Sequence, residues 1–177
     1  MNKSTKTLTI SALLLALTIV TLYVSSFWPT GQLSLAALAS MFTAVVIIEA
    51  GIRAGICVFA ACAVLSLLIL PSRWVLLLYM AFFGYYPIVK SFIERKEKAA
   101  LRWFWKIFVF NVAVIVVVFV MGIFTFGEFI PSFRGVQLST IVLHAVGSVV
   151  FVLFDYGFTK AIWLYINRVS KYINKGK

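Results

Sequence analysis

Two polar residues in the last apolar segment of this 177-residue chain are its first candidates for chemistry. His144 and Asp155 are about three helical turns apart, so they share one face of a helix. A carboxylate inside a membrane helix has to be neutral, hydrogen-bonded or paired. Candidate partners at a similar depth are Lys90, Arg53, Asn111 and Lys160. We predict a structural ion pair between Lys90 and Asp155, and a proton relay is the alternative.

A second set of residues could bind a small molecule from the outer side of a membrane. Aromatic walls with a few convergent polar groups suit a flat, partly polar ligand. The predicted substrate-binding residues combine these two types near one membrane face: Trp28, Gln32, Trp74, Tyr79, Glu128, Arg134, Gln137 and His144. Interfacial anchoring is the alternative role of Trp28 and Trp74.

The residue types for catalysis are scarce. One histidine has no serine or cysteine partner in a diagnostic context, and no His, Cys and carboxylate cluster has metal-ligand spacing. No glycine-rich phosphate-binding loop is present. We therefore predict a protein that is not an enzyme and that needs neither a metal nor a cofactor, so any ATP hydrolysis would come from a partner.

The elements that must position these residues are apolar helices. The chain is 63% hydrophobic, and its mean hydropathy is +1.08. A spanning helix needs about 20 mainly apolar residues. Six such segments predict an all-α, polytopic membrane protein, a single six-helix domain over 1–177. The predicted spans are 8–28, 33–49, 54–70, 74–92, 103–126 and 138–166.

Basic residues indicate the orientation of this bundle. With the N-terminus in the cytoplasm, the cytoplasmic segments and inner helix ends contain all but Arg73, Arg134 and Lys160 of the 16 Lys and Arg residues. Basic residues stay on the cytoplasmic side and are drawn to anionic lipid. We predict a multi-pass protein of the cytoplasmic membrane with both termini in the cytoplasm. The net charge of +11 then reflects orientation and contact with the lipid bilayer, and we expect no nucleic-acid binding.

The fourth predicted span contains an interruption, Gly84-Tyr85-Tyr86-Pro87. Proline removes an amide donor and kinks a helix, while glycine allows a neighbouring helix to approach closely. The sequence predicts a kink here, and a functional hinge is the alternative. The basic linker from Lys90 to Lys106 follows, with Trp103 and Trp105 suited to an interfacial aromatic belt.

Small residues at four-residue spacing mark the first three spans. Ala12 and Ala16 lie in the first, Gly51 and Gly55 open the third, and alanines at 60, 61 and 63 follow. Helices in lipid associate by close van der Waals packing, which such spacing allows. Together with the run from Ser11 to Leu17 and the segment from Gln32 to Leu38, this pattern resembles the substrate-binding S component of energy-coupling factor (ECF) vitamin transporters.

The resemblance implies an S-component-like six-helix fold and a role in uptake. In that family the first-helix alanine motif docks on a transmembrane coupling subunit that two cytoplasmic ATPases drive. By this resemblance the predicted partner-docking residues are Ala12 and Ala16, together with Gly51 and Gly55. The family binds its small molecule from outside, near the loop after the first helix and the outer ends of the last three helices. The chain lacks a vitamin-specific signature, so the substrate stays open.

Two rival functions use the same features differently. A non-transporting scaffold of the bacterial cell-shape or envelope machinery would use the basic linker and Tyr85-Tyr86-Pro87 to hold partners, and it would need no outer pocket. A proton-coupled carrier would need several membrane carboxylates, and the chain has only five Asp and Glu residues in total. We therefore expect a capture subunit first and a scaffold second.

Overall fold

The computed structural model describes residues 3–28, 30–95, 98–124, 132–133, 136–137 and 140–170. Seven α-helices occupy most of this chain: α1 (Lys3–Phe27), α2 (Gln32–Ala50), α3 (Ile52–Ile69), α4 (Arg73–Leu78), α5 (Tyr86–Ile93), α6 (Ala99–Phe124) and α7 (Thr140–Leu164). Two π-helical turns, Tyr79–Phe83 and Tyr165–Ser170, follow α4 and α7. Strands β1 (Ser132–Phe133) and β2 (Val136–Gln137) form a short antiparallel pair, with Ser132 opposite Gln137.

Six helical segments of the described chain are long and apolar enough to cross a membrane. They are Thr5–Phe27, Gln32–Ala50, Ile52–Ile69, Arg73–Ile93, Ala100–Phe119 and His144–Arg168. The prediction of an all-α, multi-pass membrane protein with six spans is thereby confirmed. Their outer surfaces carry many exposed large apolar side chains, which is the arrangement that a lipid environment favours.

The chain packs as two compact units. The first comprises Met1–Arg95 with Ala161–Lys177, and the second comprises Lys96–Lys160. The prediction of one six-helix membrane domain stays a prediction.

In the first unit, α1, α2 and α3 pack around a small apolar core. Leu14, Val46 and Val58, one from each helix, are buried together, and partly buried residues such as Phe42 pack against them. Gly51 connects α2 to α3 with a φ of 89°, a conformation that residues with a side chain rarely adopt. This glycine permits the tight turn that brings the two helices side by side.

The predicted interruption of the fourth span is present, and it includes a π-helical turn. The amide of Gly84 donates to the carbonyl of Tyr79 at 2.6 Å, five residues back, and Pro87 lies in the first turn of α5. A Cβ atom on Gly84 would lie 2.6 Å from Cε2 of Phe59 on α3. The prediction that Gly84 allows close approach of a neighbouring helix is confirmed.

In the second unit, α6 and α7 form an antiparallel pair. The rings of Phe110 and Phe151 stack with centroids 4.6 Å apart, and Asn111 Nδ2 donates to Ser148 Oγ at 3.4 Å. Gly147 leaves room for Phe110, since a Cβ atom there would lie 3.3 Å from Cζ of that ring. These contacts fix the register that places Lys106 opposite Asp155.

Candidate functional site

An open groove of about 580 Å³ runs between α1 and α3 in the first unit. The groove is lined by small side chains, Ala12 on α1 and Ala54, Cys57 and Ala61 on α3. Leu8 and Leu15 extend its apolar lining along α1. The groove lies in the half of α1 that is nearer the N-terminus, and α2 occupies another side of α1 through the Leu14 core.

One polar atom is buried in the lining of this groove. Ser11 Oγ is shielded from solvent and has no hydrogen-bond partner among the described residues. Buried hydroxyls in folded proteins nearly always have a partner, because an unpaired polar group costs about 1–3 kcal/mol. Thr18 on the same helix shows the usual solution, since its Oγ1 donates to the Leu14 carbonyl at 2.7 Å. Ser11 therefore provides a hydroxyl that an occupant of the groove could satisfy.

The predicted docking residues occupy different environments. Ala12 and Ala16 are both exposed on α1, and Ala12 lines the groove. Gly55 is buried, and a Cβ atom on it would collide with the side chain of Ile47 on α2. Gly51 is exposed in the turn between α2 and α3. The geometry thus gives Gly51 a role in the turn and Gly55 a packing role inside the unit, while their predicted docking role stays a prediction.

A seam of buried polar side chains crosses the first unit. The Tyr79 hydroxyl is 3.3 Å from Thr43 Oγ1, and Cys62 Sγ is 3.6 Å from Ser66 Oγ on the next turn of α3. All four residues are fully buried. Tyr79 is the first residue of the π-helical turn Tyr79–Phe83. The Thr43–Tyr79 contact joins two helical segments, as hydrogen bonds between membrane helices do, while the Cys62–Ser66 contact lies within α3.

The predicted substrate-binding residues of the first unit do not line the groove. Trp28 and Trp74 are exposed, and the Trp28 indole nitrogen donates to Thr30 Oγ1 at 2.9 Å. Gln32 starts α2, and its carbonyl accepts from Ser25 Oγ at 3.3 Å. Tyr79 is fully buried against Thr43, so a ligand would reach its hydroxyl only after rearrangement. Their common role in a substrate pocket stays a prediction.

The remaining predicted ligand residues belong to the second unit. His144 is half-buried near the start of α7, and its Nδ1 atom is shielded without a hydrogen-bond partner among the residues that the structure describes. Gln137 lies in β2, opposite Ser132. Glu128 and Arg134 lie outside the described residues. The unpaired Nδ1 of His144 is compatible with a polar ligand, and that role stays a prediction.

Asp155 is paired, and Lys106 is the partner that sequence reasoning missed. Lys106 Nζ lies 2.7 Å from Asp155 Oδ2, with side-chain exposures of 8% and 3%. The ammonium also lies 5.3 Å from the ring centroid of Trp103. Lys90 is buried too and pairs with Glu94 at 2.8 Å. Lys90 and Asp155 belong to different units, and the predicted pair between them stays a prediction.

A signal for Lys106 was present in the sequence. The residue lies inside an apolar window, in which an ammonium group needs a carboxylate, and Asp155 is the carboxylate of the apolar part of α7. Its neighbours Trp103 and Trp105 instead suggested that Lys106 lies at the membrane interface. Only the register of α6 against α7 shows that Lys106 is buried and paired.

The described residues contain no group of three or more His, Cys, Asp or Glu side chains that could hold a metal ion. Cys57 and Cys62 are free thiols, the first exposed at the groove and the second buried. The described residues provide an open lateral groove of small residues, a buried polar seam and a buried ion pair.

Comparison of the chain with models of protein families, with curated proteins and with solved structures gives no match.

Proposed function

We propose that this protein is a membrane-embedded substrate-capture subunit for uptake of a vitamin-like small molecule, and that it docks on a separate ATP-driven coupling complex. The groove between α1 and α3 is the observation that carries the proposal. It contains Ala12, the residue that the resemblance to S components assigns to docking, and it is open at the side of the helix pair. In this proposal its occupant is a transmembrane helix of the coupling subunit.

The chemistry of the groove suits a helix better than a polar solute. Ala12, Ala54 and Ala61 leave backbone close to the surface, so another helix could approach within van der Waals contact. A hydroxyl or a backbone carbonyl on that helix could also satisfy Ser11 Oγ, which is buried without a described partner. Lipid tails offer no hydrogen-bonding group to this hydroxyl.

The position of the groove along α1 supports the same proposal. It begins near Thr7, one residue from Lys6, at the end of the helix that positive charge assigns to the cytoplasm. A coupling subunit that binds there would lie near its two cytoplasmic ATPases. In this arrangement both termini are cytoplasmic, and ATP hydrolysis belongs to the partner while this chain binds the substrate.

We place substrate capture at the other end of α1, away from Lys6 and the groove. Trp28 and Gln32 flank the α1–α2 turn, and Trp74 follows the α3–α4 turn. In the proposal these residues contact a flat, partly polar molecule taken from outside. Transport then follows from reorientation of the loaded subunit against its coupling partner, driven by the difference in contacts between the docked and free states.

Tryptophan substitutions test this proposal. Ala12→Trp places a bulky ring in the groove, so we expect loss of co-purification with an ATPase-containing complex and unchanged retention of the small molecule. Ala16→Trp, one turn further along the exposed face, should act in the same direction. Leu13→Trp is the matched control, because Leu13 is 58% exposed and lies outside the groove lining. Equal loss of the complex in Leu13→Trp and Ala12→Trp would contradict the proposal.

A scaffold of the cell-shape or envelope machinery is the second candidate. Exposed basic residues at Arg95 and Lys98, within the predicted cytoplasmic linker, favour it, since they could hold an acidic cytoplasmic partner. The groove would then receive a helix of a wall-synthesis or division protein. The same purification distinguishes the two functions, because the scaffold retains such proteins and carries no small molecule.

A further inference from the structure

A stripe of exposed and half-buried side chains along the start of α6 changes from basic to aromatic to aliphatic. The Arg102 amide donates to the Lys98 carbonyl at 3.1 Å, so Lys98 belongs to the first helical turn. Lys98, Arg102 and Trp105 follow a spacing of four and three residues and therefore share a face. Phe108 and Val112 continue the stripe towards the middle of the predicted span.

The aromatic part of this stripe is a defined cluster. Phe104, Trp105 and Phe108 contact one another with ring centroids 5.8–6.2 Å apart. Trp105 is 37% exposed, Phe108 is 50% exposed and Val112 is 43% exposed. Aromatic rings prefer the level of the lipid headgroups, and aliphatic residues prefer the hydrocarbon. The sequence of side-chain types therefore matches the depth profile of one lipid leaflet.

No carboxylate of the second unit pairs with the basic part of the stripe among the residues that the structure describes. Asp155 is the one carboxylate among the described residues of the second unit, and Lys106 lies 2.7 Å from it. Lys98 and Arg102 therefore add positive charge at the membrane edge. Arginine is well suited to a phosphate group, because its planar guanidinium can donate two parallel hydrogen bonds.

We propose that Lys98, Arg102 and Trp105 form a binding site on α6 for an anionic phospholipid. The two basic side chains contact the phosphate headgroup, Trp105 lies at the glycerol level, and an acyl chain packs along Phe108 and Val112. Because the site is positively charged, we expect it to bind an anionic lipid more tightly than a zwitterionic one. The site lies on α6 alone, so it does not depend on which partner occupies the groove between α1 and α3.

Native mass spectrometry of the full chain in mild detergent tests this site. The probes are phosphatidylglycerol and phosphatidylcholine with identical acyl chains. We expect tighter binding of phosphatidylglycerol, weakened about fivefold by Lys98→Gln or Arg102→Gln and about 25-fold by the double variant, because each basic residue near the surface contributes about the same amount. Lys160→Gln, which removes an exposed charge from α7 beside Tyr156, is the matched control and should leave the affinity unchanged.

Two results would overturn the proposal. One is equal affinity for the two lipids, and the other is a loss in Lys160→Gln as large as in the double variant, which would indicate a general charge effect. Inorganic phosphate at the same concentration as the lipid is a further competitor: displacement of the bound lipid would also contradict the proposal, because it would show that the acyl chain and Trp105 add no affinity. Unchanged thermal unfolding of the variants in detergent shows that each retains its fold.

Discussion

Breaking the Lys106–Asp155 pair one residue at a time should destabilise the protein far more than removing both residues together. The perturbations are Lys106→Met, Asp155→Leu and the double variant. The two charged atoms lie 2.7 Å apart, and the side chains are 8% and 3% exposed. Each single change leaves the other group without this partner in an apolar environment, whereas the double variant replaces the pair with apolar side chains.

The expected magnitudes follow from the geometry. Unit charges 2.7 Å apart attract by about 6 kcal/mol at an effective dielectric constant of about 20. Burial costs several kcal/mol for each ion, so the net contribution of the intact pair is within about 2 kcal/mol of zero. Loss of one partner leaves the burial cost of the other, and each single variant should lose about 3–5 kcal/mol of unfolding free energy.

Titration of micelle-embedded protein with a denaturing detergent, followed by circular dichroism, measures these free energies. The double variant should lie within about 2 kcal/mol of the parent protein, which makes the losses strongly non-additive. Lys160→Met is the control, because Lys160 is exposed on the same helix and should change stability by at most about 0.5 kcal/mol. A double variant that loses as much stability as the two single variants combined would contradict this expectation.

Two further predictions concern the break in the fourth span. Gly84→Ala places a Cβ atom 2.6 Å from Phe59 Cε2 and 2.8 Å from Tyr79 Cε1, and it should cost about 1–3 kcal/mol in the same unfolding assay. Gly157→Ala is its control, since nothing lies within 4 Å of a Cβ atom there, and it should be neutral or stabilising by up to about 1 kcal/mol. Tyr79→Phe removes the hydroxyl that lies 3.3 Å from Thr43 Oγ1 and should cost about 1 kcal/mol, and an unchanged stability would show that this hydrogen bond does not hold the helices together.

The six spans could be predicted from the sequence because hydropathy alone determines them. Each predicted segment has a helix in the structure, and Pro87 and Gly84 marked the interruption in the fourth. The π-helical turn at Tyr79–Phe83 was not predictable in the same way. It accompanies the packing of the Phe59 ring against Gly84, a contact between residues 25 positions apart that no local pattern encodes.

Contacts between side chains of different helices could not be predicted from the sequence, because they depend on how the helices align. Burial of Asp155 followed from its place in an apolar helix, but its pairing with Lys106 depends on how α6 and α7 align. The groove, too, was predictable only in part. Spacing pointed to Ala12, while the opposing wall of Ala54, Cys57 and Ala61 emerges only when α3 packs beside α1. The Tyr79 hydroxyl likewise lies 3.3 Å from Thr43 Oγ1 in a fully buried position that only helix packing determines, and its predicted contact with a ligand stays a prediction.

The central claim is that this chain captures a small molecule and delivers it through an ATP-driven partner. Native mass spectrometry of the protein, purified in mild detergent from its own host, tests that claim most directly. We expect one spectrum to contain a retained small molecule and a complex with a transmembrane subunit and two ATPases. Cell-wall or division proteins in the complex, with no small molecule bound, would contradict the claim and establish the scaffold function.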